Sequence, residues 1–455
     1  MLFERVVSEG LAHNSYMVGA GGKAAVIDPR RDCDIYLGIA ARNNCTITHI
    51  FETHRNEDYV IGSTELADRC GATICHGANL AFSYGKPVRE GDRFTFGSLD
   101  LTILETPGHT EESISLILID RESEDKPYAV FCGDTLFAGG IARTDFYGRE
   151  RNAEMAGKIY DSVVKKILRL GDGVIVCPAH GAGSVCGDEI SDRPLTTIGY
   201  EKQTNPALLN GREAFVARRI NESPYTPPYF RQMERSNIQG APVLHHTPVF
   251  QLLSVDEVNT LRKSGCQIID IRSPTSFAAG FIPKSLSIWR EGLPSFMGWF
   301  LRYDQPIVIV DDFNLDPDPV IAHLVRLGYD NLRGWLTGGF SAWSKSALET
   351  AFIGTCTVQQ LKERLDHEHL FLLDVRDVKD LNRVGHIRGS HHRYIGELPD
   401  YLTEIPRDEP IVTYCDGGYK GGLAASILAA HQYRNVTNLL GGMAAWKNAG
   451  YRIEK

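Results

Sequence analysis

The sequence predicts an α/β protein in which a layered α/β sandwich precedes two α/β domains with parallel sheets. Three observations predict this arrangement. The 455 residues are enough for about three domains. A unit of about 100 residues occurs twice in the C-terminal half. In the first part of the chain, short apolar strands follow one another closely, and helical segments lie between some of them.

Composition and charge are those of an ordinary globular protein. Hydrophobic residues make up 43% and charged residues 23% of the chain, and the net charge of -9 includes no long run of one sign. This pattern lacks the basic patch typical of nucleic-acid binding. No apolar stretch reaches the roughly 18 residues of a membrane span, and the N-terminus lacks the basic and apolar regions of a signal peptide.

The cysteines indicate a reducing environment. The chain has ten of them, spaced far apart and without a CxxC pair. This spacing argues against a zinc knuckle and against a disulfide-stabilised scaffold. We therefore expect a cytoplasmic protein that has neither a nucleic acid nor a membrane among its partners.

We assign residues 1–245 to the first domain. Its strands are expected in the segments YMVGAGGKAAVID, ITHIFETH, FTFGSLDLTILETPG, SISLILID, YAVFCGD and GVIVCPAH. Helical segments such as NAEMAGKIYDSVVKKILRL would cover the sheets. Residues 206–248 carry Pro, Gly and Asn punctuation, which predicts a helix followed by an extended linker.

Four strand-end motifs carry the chemistry of this domain. They are THRNED from residue 53, TPGHTEES from 106, FCGDTLF from 131 and CPAHGAGS from 177. Each places a His or Asp just after an apolar strand, where a loop can turn the side chain into a common cleft. One such motif is a weak signal, but four of them in one domain predict a metal site.

The order of these motifs resembles that of the metallo-β-lactamase superfamily, in which His-x-His-x-Asp-His is followed by a His, a bridging Asp and a final His. The resemblance implies an αββα sandwich. In this chain Asn56 and Tyr59 replace two of the histidines. An amide oxygen is a poor ligand for a borderline divalent metal, and a phenol titrates near pH ~10. We therefore do not expect the two-zinc centre of a glyoxalase-type hydrolase.

His54, His109 and Asp134 remain, and two imidazoles with one carboxylate form the facial triad of non-haem iron oxygenases. With the segments ARTDF, HGAGSVCG and TTIGYEKQTNPAL, the first domain resembles the persulfide dioxygenases. That resemblance implies one Fe(II) per chain, held by these three residues. The whole chain resembles the bacterial fusion of a persulfide dioxygenase with two rhodanese-like domains.

The roles of four further residues follow from the same resemblance. Asp58 and His180 would bind the second ion in two-metal relatives; without that ion, we expect them to hydrogen-bond the ligands or water. Tyr59 is expected beside the metal, where it would affect this hydrogen-bond network or the choice of substrate. Arg143 either holds a substrate carboxylate or forms a surface ion pair.

The C-terminal repeat pairs residues 246–350 with residues 351–455. QIIDIRSPTSFAAGFIPKSLSI matches FLLDVRDVKDLNRVGHIRGSHH, PIVIVDD matches PIVTYCD, and LTGGFSAW matches LLGGMAAW. Within each copy, β-branched runs alternate with helical segments, which predicts a parallel sheet covered by helices.

Cys415 is the expected nucleophile of the last domain. It ends a strand and is followed by a glycine-rich loop and a helix start, which resembles the Cys-x-x-Gly-x-Arg-Ser loop of rhodaneses. Gly418 matches that pattern, whereas Lys420 replaces Arg and Gly421 replaces Ser. Backbone N–H groups and the helix N-terminus would favour a thiolate, so we expect a pKa below the ~8.5 of a free thiol.

The middle repeat has Asp311 where the last domain has Cys415, which excludes thiol chemistry there. Pro317 and Pro319 are expected to interrupt the loop-to-helix pattern. We interpret this repeat as a pseudo-rhodanese that serves as a spacer or a dimer surface. A homo-oligomer is expected.

The sequence thus predicts an enzyme that oxidises a low-molecular-weight thiol persulfide with O2 to sulfite. Cys415 would transfer sulfane sulfur, with thiosulfate as a further product. The thiol carrier could be glutathione, coenzyme A or bacillithiol. Two alternatives remain open: a glyoxalase II-like thioester hydrolase, which needs a second metal or a strong base, and a non-enzymatic sulfur carrier or sensor.

Overall fold

The computed structural model describes residues 1–187 and 190–455. The chain divides into two compact units. The first comprises Met1–Thr247 with Val325–Gly328, and the second comprises Pro248–Leu324 with Tyr329–Lys455.

The described part of the first unit contains two six-stranded sheets. In the first sheet, β1 to β4 pair in chain order and β5 and β6 extend it in parallel. Its strands are β1 (Leu2–Ser8), β2 (His13–Ala20), β3 (Lys23–Ile27), β4 (Thr46–Glu52), β5 (Thr73–Gly77) and β6 (Lys86–Val88). The second sheet is antiparallel except where β10 meets β11. Its strands are β7 (Arg93–Phe96), β8 (Leu99–Glu105), β9 (Ile114–Asp120), β10 (Pro127–Gly133), β11 (Ile175–Pro178) and β12 (Thr196–Thr197).

The two sheets pack face to face, and helices cover their outer faces. The core between the sheets is built from alternating apolar residues, including Val18, Phe51, Leu101, Leu116 and Phe131. The helices of this unit are α1 (Asp34–Arg42), α2 (Ser63–Cys70), α3 (Arg149–Asp161), α4 (Ile198–Thr204), α5 (Pro206–Leu209), α6 (Gly211–Asn221) and α7 (Phe230–Gln239). Helices α1 and α2 pack on the first sheet, and α3 and α6 pack on the second. The predicted αββα sandwich is confirmed.

The four motifs follow the ends of four strands. His54 comes after β4, His109 after β8, Asp134 after β10 and His180 after β11. Gly133, immediately before Asp134, has a φ of 51°, and a Cβ at this position would overlap the Thr53 hydroxyl. The close approach of β10 to the end of β4 therefore requires glycine.

The segment after α6 is not the extended linker that its punctuation predicted. Residues 222–229 are extended or turn, but α7 follows and packs through Phe230, Met233 and Asn237. The error arose because Pro and Gly residues flank a mostly polar segment, and these flanking residues were given more weight than the stripe of side chains that α7 buries.

The middle repeat forms a five-stranded parallel sheet in residues that are all described, with the order β13-β17-β16-β14-β15. Its strands are β13 (Leu252–Leu253), β14 (Gln267–Asp270), β15 (Leu286–Ser287), β16 (Ile307–Val310) and β17 (Leu332–Leu336). Its helices are α8 (Val255–Lys263), α9 (Pro274–Ala279), α10 (Leu293–Phe300), α11 (Asp318–Arg326) and α12 (Gly339–Lys345).

The last repeat, also fully described, has the corresponding parallel sheet in the order β18-β22-β21-β19-β20. Its strands are β18 (Gly354–Cys356), β19 (Phe371–Asp374), β20 (Ser390–His392), β21 (Ile411–Tyr414) and β22 (Val436–Leu439). Its helices are α13 (Val358–His367), α14 (Val378–Val384), α15 (Tyr419–Ala430) and α16 (Gly442–Asn448). The predicted pair of α/β domains with parallel sheets is confirmed.

An internal ion pair recurs in both repeats. Asp270 accepts hydrogen bonds from the Arg272 guanidinium at 2.6–3.1 Å, and Asp374 accepts the equivalent bonds from Arg376. The interruption expected from the two prolines is seen in part: α11 begins at Asp318, later than the position equivalent to the start of α15 at Tyr419, but the helix still forms. Pro319 lies in its first turn, where no backbone N–H is needed.

Across the described residues, none of the helices combines the length and the apolar character that a membrane-spanning segment requires.

Candidate metal centre and thiol site

His54, His109 and Asp134 converge at one buried point. Asp134 Oδ2 lies 3.8 Å from His54 Nε2 and 3.6 Å from His109 Nε2. The three side chains are at most 2% exposed, and they form one of the candidate metal-binding groups in the described residues. Three loops that are distant in sequence thus present two imidazoles and a carboxylate to the same small volume.

A hydrogen-bond chain orients the His54 ring. The Thr53 hydroxyl donates to Asp28 Oδ2 at 2.7 Å and therefore accepts from His54 Nδ1, 2.9 Å away. This leaves His54 Nε2 as the nitrogen available to a metal. Burial lowers the pKa of His54 to about 4, so the ring is neutral at physiological pH, as a metal ligand must be.

A backbone carbonyl orients the His109 ring in the same way. His109 Nδ1 donates to the Arg143 carbonyl at 3.0 Å, which again leaves Nε2 facing the cluster. The Phe146 ring packs edge-on against the imidazole at 5.1 Å. Burial alone would lower the pKa of His109, but the charges of Glu57 and Asp134 outweigh it and raise that pKa.

The residues fit a metal ion. Within the described residues, His54 Nε2, His109 Nε2 and Asp134 Oδ2 are buried and make no hydrogen bond. Buried polar atoms without a partner are costly, and three of them facing one point are what a cation would satisfy. Two imidazoles with one carboxylate suit iron, zinc or a similar divalent metal.

His180 and Asp58 pair with each other beside the cluster. His180 Nδ1 donates to Asp134 Oδ1 at 2.7 Å, and His180 Nε2 lies 2.9 Å from Asp58 Oδ2. Burial alone would lower the pKa of His180, but the charges of Asp134 and Asp58 hold it well above its usual range. Both ring nitrogens therefore face carboxylates, an arrangement in which His180 supports Asp134.

Asn56 and Tyr59 are turned towards other groups. The Asn56 amide donates to the His54 carbonyl at 3.3 Å, which braces the loop that carries His54. The Tyr59 ring is 1% exposed and packs against the His13 ring at 4.0 Å, and burial raises the pKa of its phenol well above 10. A neutral phenol is a poor metal ligand, so neither replacement restores a second histidine-type site.

The Arg143 guanidinium is already paired. It donates to both oxygens of Asp145 at 2.7 Å, and further bonds reach the Tyr225 carbonyl and the Thr226 hydroxyl. Its side chain also packs against Phe146. This arrangement favours the ion-pair role of Arg143 over the binding of a substrate carboxylate.

Two residues of the site had not been predicted. Glu57 is fully buried, and its Oε2 lies 3.3 Å from His109 Nε2. Cys186 forms a second candidate metal-binding group with Asp58 and His180 in the described part of the chain. The quoted motif HGAGSVCG contains Cys186, but no strand end or repeat distinguished it from the other buried thiols.

Helix α7 holds the loop that carries His54. The Asn237 amide donates to the Asn56 carbonyl at 2.6 Å and to the Tyr59 carbonyl at 2.8 Å, and its oxygen accepts from the Ile61 amide at 3.0 Å. Asn237 is 1% exposed, so these bonds satisfy backbone groups that water does not reach.

Asn237→Ala is expected to lower both stability and metal affinity. Three buried backbone groups would lose their partner, at a cost of about 2–4 kcal/mol. A looser His54 loop should weaken metal binding roughly 10- to 100-fold. Thermal melting and metal titration would measure both effects, with the exposed α6 residue Asn221→Ala as the matched control. Unchanged metal affinity in Asn237→Ala would contradict a positioning role for α7.

The thiol site lies between β21 and α15. Cys415 is 1% exposed, and its Sγ accepts a hydrogen bond from the Gly418 amide at 3.2 Å. Gly418 has a φ of 94°, and its carbonyl accepts from the Asn438 side chain at 3.0 Å. This conformation, which favours glycine, turns the loop amides inward around the sulfur.

The expectation of a lowered thiol pKa is wrong. Burial raises the pKa of Cys415 above its usual value, although the Gly421 and Gly418 amides and the Lys420 charge act in the opposite direction. The loop amides surround the sulfur as expected and lower the thiol pKa, but burial raises that pKa by more.

Lys420 is close to the thiol but also to an acid. It lines the same cavity as Cys415, and its ammonium lies 3.7 Å from Asp416 Oδ2. A carboxylate at this distance offsets part of the positive charge that Lys420 offers to a bound anion.

Asp311, in the middle repeat, supports its own loop. Its Oδ1 accepts from the Asn314 backbone at 3.1 Å and from the Asn314 side chain at 2.9 Å. Asn314 in turn accepts from the Gly338 amide at 2.7 Å. Asp311 therefore caps a loop at the position where the last domain holds a thiol.

Comparison with known proteins agrees with this architecture. Residues 9–180 match the metallo-beta-lactamase superfamily, and residues 254–346 and 357–449 each match the rhodanese-like domain. The chain is 31% identical over 221 residues to the hydroxyacylglutathione hydrolase of Rhodospirillum rubrum, which is 48% of this chain and 77% of that protein.

Two solved structures align with parts of the chain. A metallo-beta-lactamase from Staphylococcus aureus aligns with a TM-score of 0.66 and 30% identity, over 74% of this chain and 98% of that one. ETHE1 from Myxococcus xanthus aligns with a TM-score of 0.46 and 31% identity, over 54% of this chain and 100% of that one.

Proposed function

The chain belongs to the metallo-β-lactamase superfamily and carries two rhodanese-like domains after the superfamily domain. From this premise we propose that it is an iron-dependent persulfide dioxygenase joined to a sulfurtransferase. The proposal concerns two steps of sulfur chemistry, one at the cluster of His54, His109 and Asp134, and the other at Cys415.

The observation that carries the proposal is the donor set of the first domain. His54, His109 and Asp134 present three ligand atoms to one point, whereas Asn56 braces the loop and His180 lies between two carboxylates. This set suits one metal with open positions better than two bridged metals. The same chain carries Cys415 in a rhodanese-like domain, where it would transfer sulfane sulfur. This second site supports a persulfide as the substrate of the first.

When bound, Fe(II) would supply the redox chemistry that lets O2 react with the sulfur of a persulfide. His54 and His109 would hold the ion through Nε2, with their rings oriented by Thr53 and the Arg143 carbonyl. Asp134 would supply the negative charge, and His180 would keep its carboxylate oriented. Phe146 packs against His109 and would help to exclude water.

In the overall reaction, O2 supplies two of the three oxygen atoms of sulfite and water supplies the third. The terminal sulfur of the persulfide is oxidised and O2 is reduced, so that persulfide, O2 and water give thiol, sulfite and two protons. Glutathione, coenzyme A or bacillithiol would serve as the thiol carrier. The ten cysteines are all free thiols, which suits a reducing compartment such as the cytoplasm.

Cys415 would carry the second step. Its thiolate would attack the terminal sulfur of a donor, form a Cys415 persulfide and release the donor's thiol. Sulfite could then take the outer sulfur, which gives thiosulfate and restores the thiolate. The Gly418 amide points at the sulfur and would stabilise the anion at each stage.

Product analysis tests the proposal. The iron-reconstituted chain is incubated with glutathione persulfide and O2, and sulfite and thiosulfate are separated by chromatography. Both anions are expected, with formation that depends on O2. Loss of persulfide without either anion would refute the dioxygenase.

A thioester hydrolase is the second candidate, because the chain is 31% identical to a hydroxyacylglutathione hydrolase. Such an enzyme of this superfamily would need a second metal or a strong base. Two zinc ions per chain, together with turnover of S-lactoylglutathione, would favour it.

The pH dependence of Cys415 loading gives a further prediction. A thiol becomes a nucleophile as the pH rises through its pKa, and burial raises the pKa of Cys415. The loading rate should therefore still increase above pH ~8.5, the ordinary value for a thiol. Lys420→Gln, which removes a nearby positive charge, should move the profile to still higher pH. A wild-type profile that levels off below this value would contradict the burial effect.

A further inference from the structure

The cavity in front of Cys415 is formed by both rhodanese-like domains. It has a volume of about 550 Å³. Its lining includes Cys415, Tyr419 and Lys420 from the last domain, and Trp289, Glu291 and Phe296 from the middle repeat. The repeat without a thiol therefore supplies part of the wall that a sulfur donor would meet.

Close packing between the two repeats holds this wall in place. Gly422 lies on α15, and a Cβ there would come within 2.5 Å of Pro274 Cβ. On the same helix, the Ser426 hydroxyl accepts a hydrogen bond from the Ser287 amide at 3.0 Å. Because α15 begins directly after the Cys415 loop, these contacts tie the loop to the middle repeat.

The wall is aromatic. The Trp289 ring lies 5.3 Å from Phe296 and 5.1 Å from Tyr419. Phe296 is 9% exposed, whereas Tyr419 is 49% exposed and forms part of the mouth. Rings in this arrangement can pack against the apolar arm of an organic molecule, but their faces provide neither a positive charge nor a hydrogen-bond donor for a small inorganic anion.

The charges at the cavity do not favour a dianion. Among the described lining residues Lys420 is the one cation, and Asp416 lies 3.7 Å from its ammonium. Glu291 adds a negative charge to the same lining. The Arg376 guanidinium also lies 3.9 Å from Asp416, but its side chain is buried and paired with Asp374.

A second cavity of about 360 Å³ continues from the first. Trp289, Glu291 and Tyr419 line both, and the second also reaches Phe313 and Leu315 of the Asp311 loop. These two side chains are 77% and 65% exposed. Two arginines line the second cavity, but Arg272 is paired with Asp270, and Arg290 donates to two backbone carbonyls of the Asp311 loop. Together the two cavities offer more volume than thiosulfate fills, which leaves room for a donor with an extended arm.

We propose that Trp289 and Glu291 of the middle repeat determine which sulfur donor reaches Cys415, and that they select an organic persulfide over thiosulfate. This inference rests on the proposed sulfurtransferase function and assigns the pseudo-rhodanese a part in it. Trp289 binds the arm of the donor, and Glu291 repels a dianion.

Both donors load the same atom. With an organic persulfide, the Cys415 thiolate attacks the terminal sulfur, the new Sγ–S bond forms, the donor's S–S bond breaks, and the thiolate of the carrier leaves. With thiosulfate, the same attack releases sulfite. The two reactions differ only in the donor and the leaving group, so their ratio measures selectivity.

The test measures the loading of Cys415 on the full chain under anaerobic conditions, so that persulfide is not oxidised. Trypsin releases residues 408–420, a peptide in which Cys415 is the single cysteine, and its mass reports loading. Benzyl persulfide, whose arm is apolar and uncharged, and thiosulfate are used as separate donors. Cys415→Ser provides the blank.

Trp289→Ala is expected to lower kcat/KM for benzyl persulfide roughly 10- to 100-fold, mainly through KM, because the arm loses its apolar wall. The value for thiosulfate should change less than about threefold. Glu291→Gln should raise kcat/KM for thiosulfate about 3- to 10-fold at low ionic strength, with a smaller gain in salt. The exposed residues Phe352→Ala and Glu349→Gln are the matched controls, and neither should change the ratio.

The outcomes separate the two hypotheses. If the wild-type chain loads from neither donor, the sulfurtransferase function itself fails. If it loads, but Trp289→Ala and Glu291→Gln leave the donor ratio unchanged, the function stands and the selectivity role is overturned. If Trp289→Ala lowers kcat/KM equally for both donors, Trp289 has only a packing role. Glu291→Gln, an exposed and isosteric change, then shows whether the cavity wall selects the donor by charge.

Discussion

Replacement of His109 by alanine is expected to remove the metal from the N-terminal domain and to abolish oxygen uptake with it. His109 supplies one of three converging ligand atoms, and its ring is fixed by the Arg143 carbonyl. Loss of a residue that only orients a ligand costs about 10- to 100-fold in metal affinity, so loss of a ligand should cost at least 100-fold.

Metal analysis after anaerobic reconstitution, together with an oxygen electrode, would measure both effects. His245→Ala is a suitable control, because His245 is an exposed histidine of the same unit. It should retain metal and activity. A His109→Ala chain that is folded, free of metal and fully active would show that the cluster is not the catalytic centre.

Cys415→Ser is expected to abolish sulfur transfer and to leave oxygen uptake intact. The change keeps the size of the side chain but removes the nucleophile, which should lower transfer at least about 1,000-fold. The proposed oxidation would need the cluster of His54, His109 and Asp134 and the carrier-bound sulfur, and neither involves Cys415. If sulfur passes between the two sites, the products should shift from thiosulfate towards sulfite.

Intact-mass measurement after persulfide treatment, followed by peptide analysis, would check this result. The wild type should gain one sulfur, about 32 Da, on the peptide of residues 408–420, and the variant should gain none there. Cys356→Ser removes the other thiol of the same domain and should keep most of the activity. Transfer at the wild-type rate in Cys415→Ser would identify Cys415 as a structural thiol.

Strand ends made the ligand cluster predictable from the sequence. A residue that follows an apolar strand lies at the edge of its sheet, and His54, His109 and Asp134 each follow such a strand. The expectation of a single metal stays a prediction; it rests on the donor chemistry of Asn56 and Tyr59, which differs from that of histidine. The repeat likewise predicted both C-terminal domains, whereas the Asp–Arg pair that each contains became apparent only in the structure.

The remaining features depend on burial and on contacts between distant segments. Glu57 lies in a loop, where no periodicity tells which way a side chain points. The thiol pKa depends on the 1% exposure of Cys415, which a glycine-rich motif does not reveal. The contribution of Trp289 to the thiol cavity arises from packing between two domains, and a motif in either domain alone carries no sign of it.

Oxygen uptake by the Fe(II)-reconstituted chain, with metal counted on the same sample, tests the central claim most directly. The account predicts one iron ion per chain and O2 consumption that starts only when glutathione persulfide is added. Two zinc ions per chain with no oxygen uptake on a persulfide would contradict it.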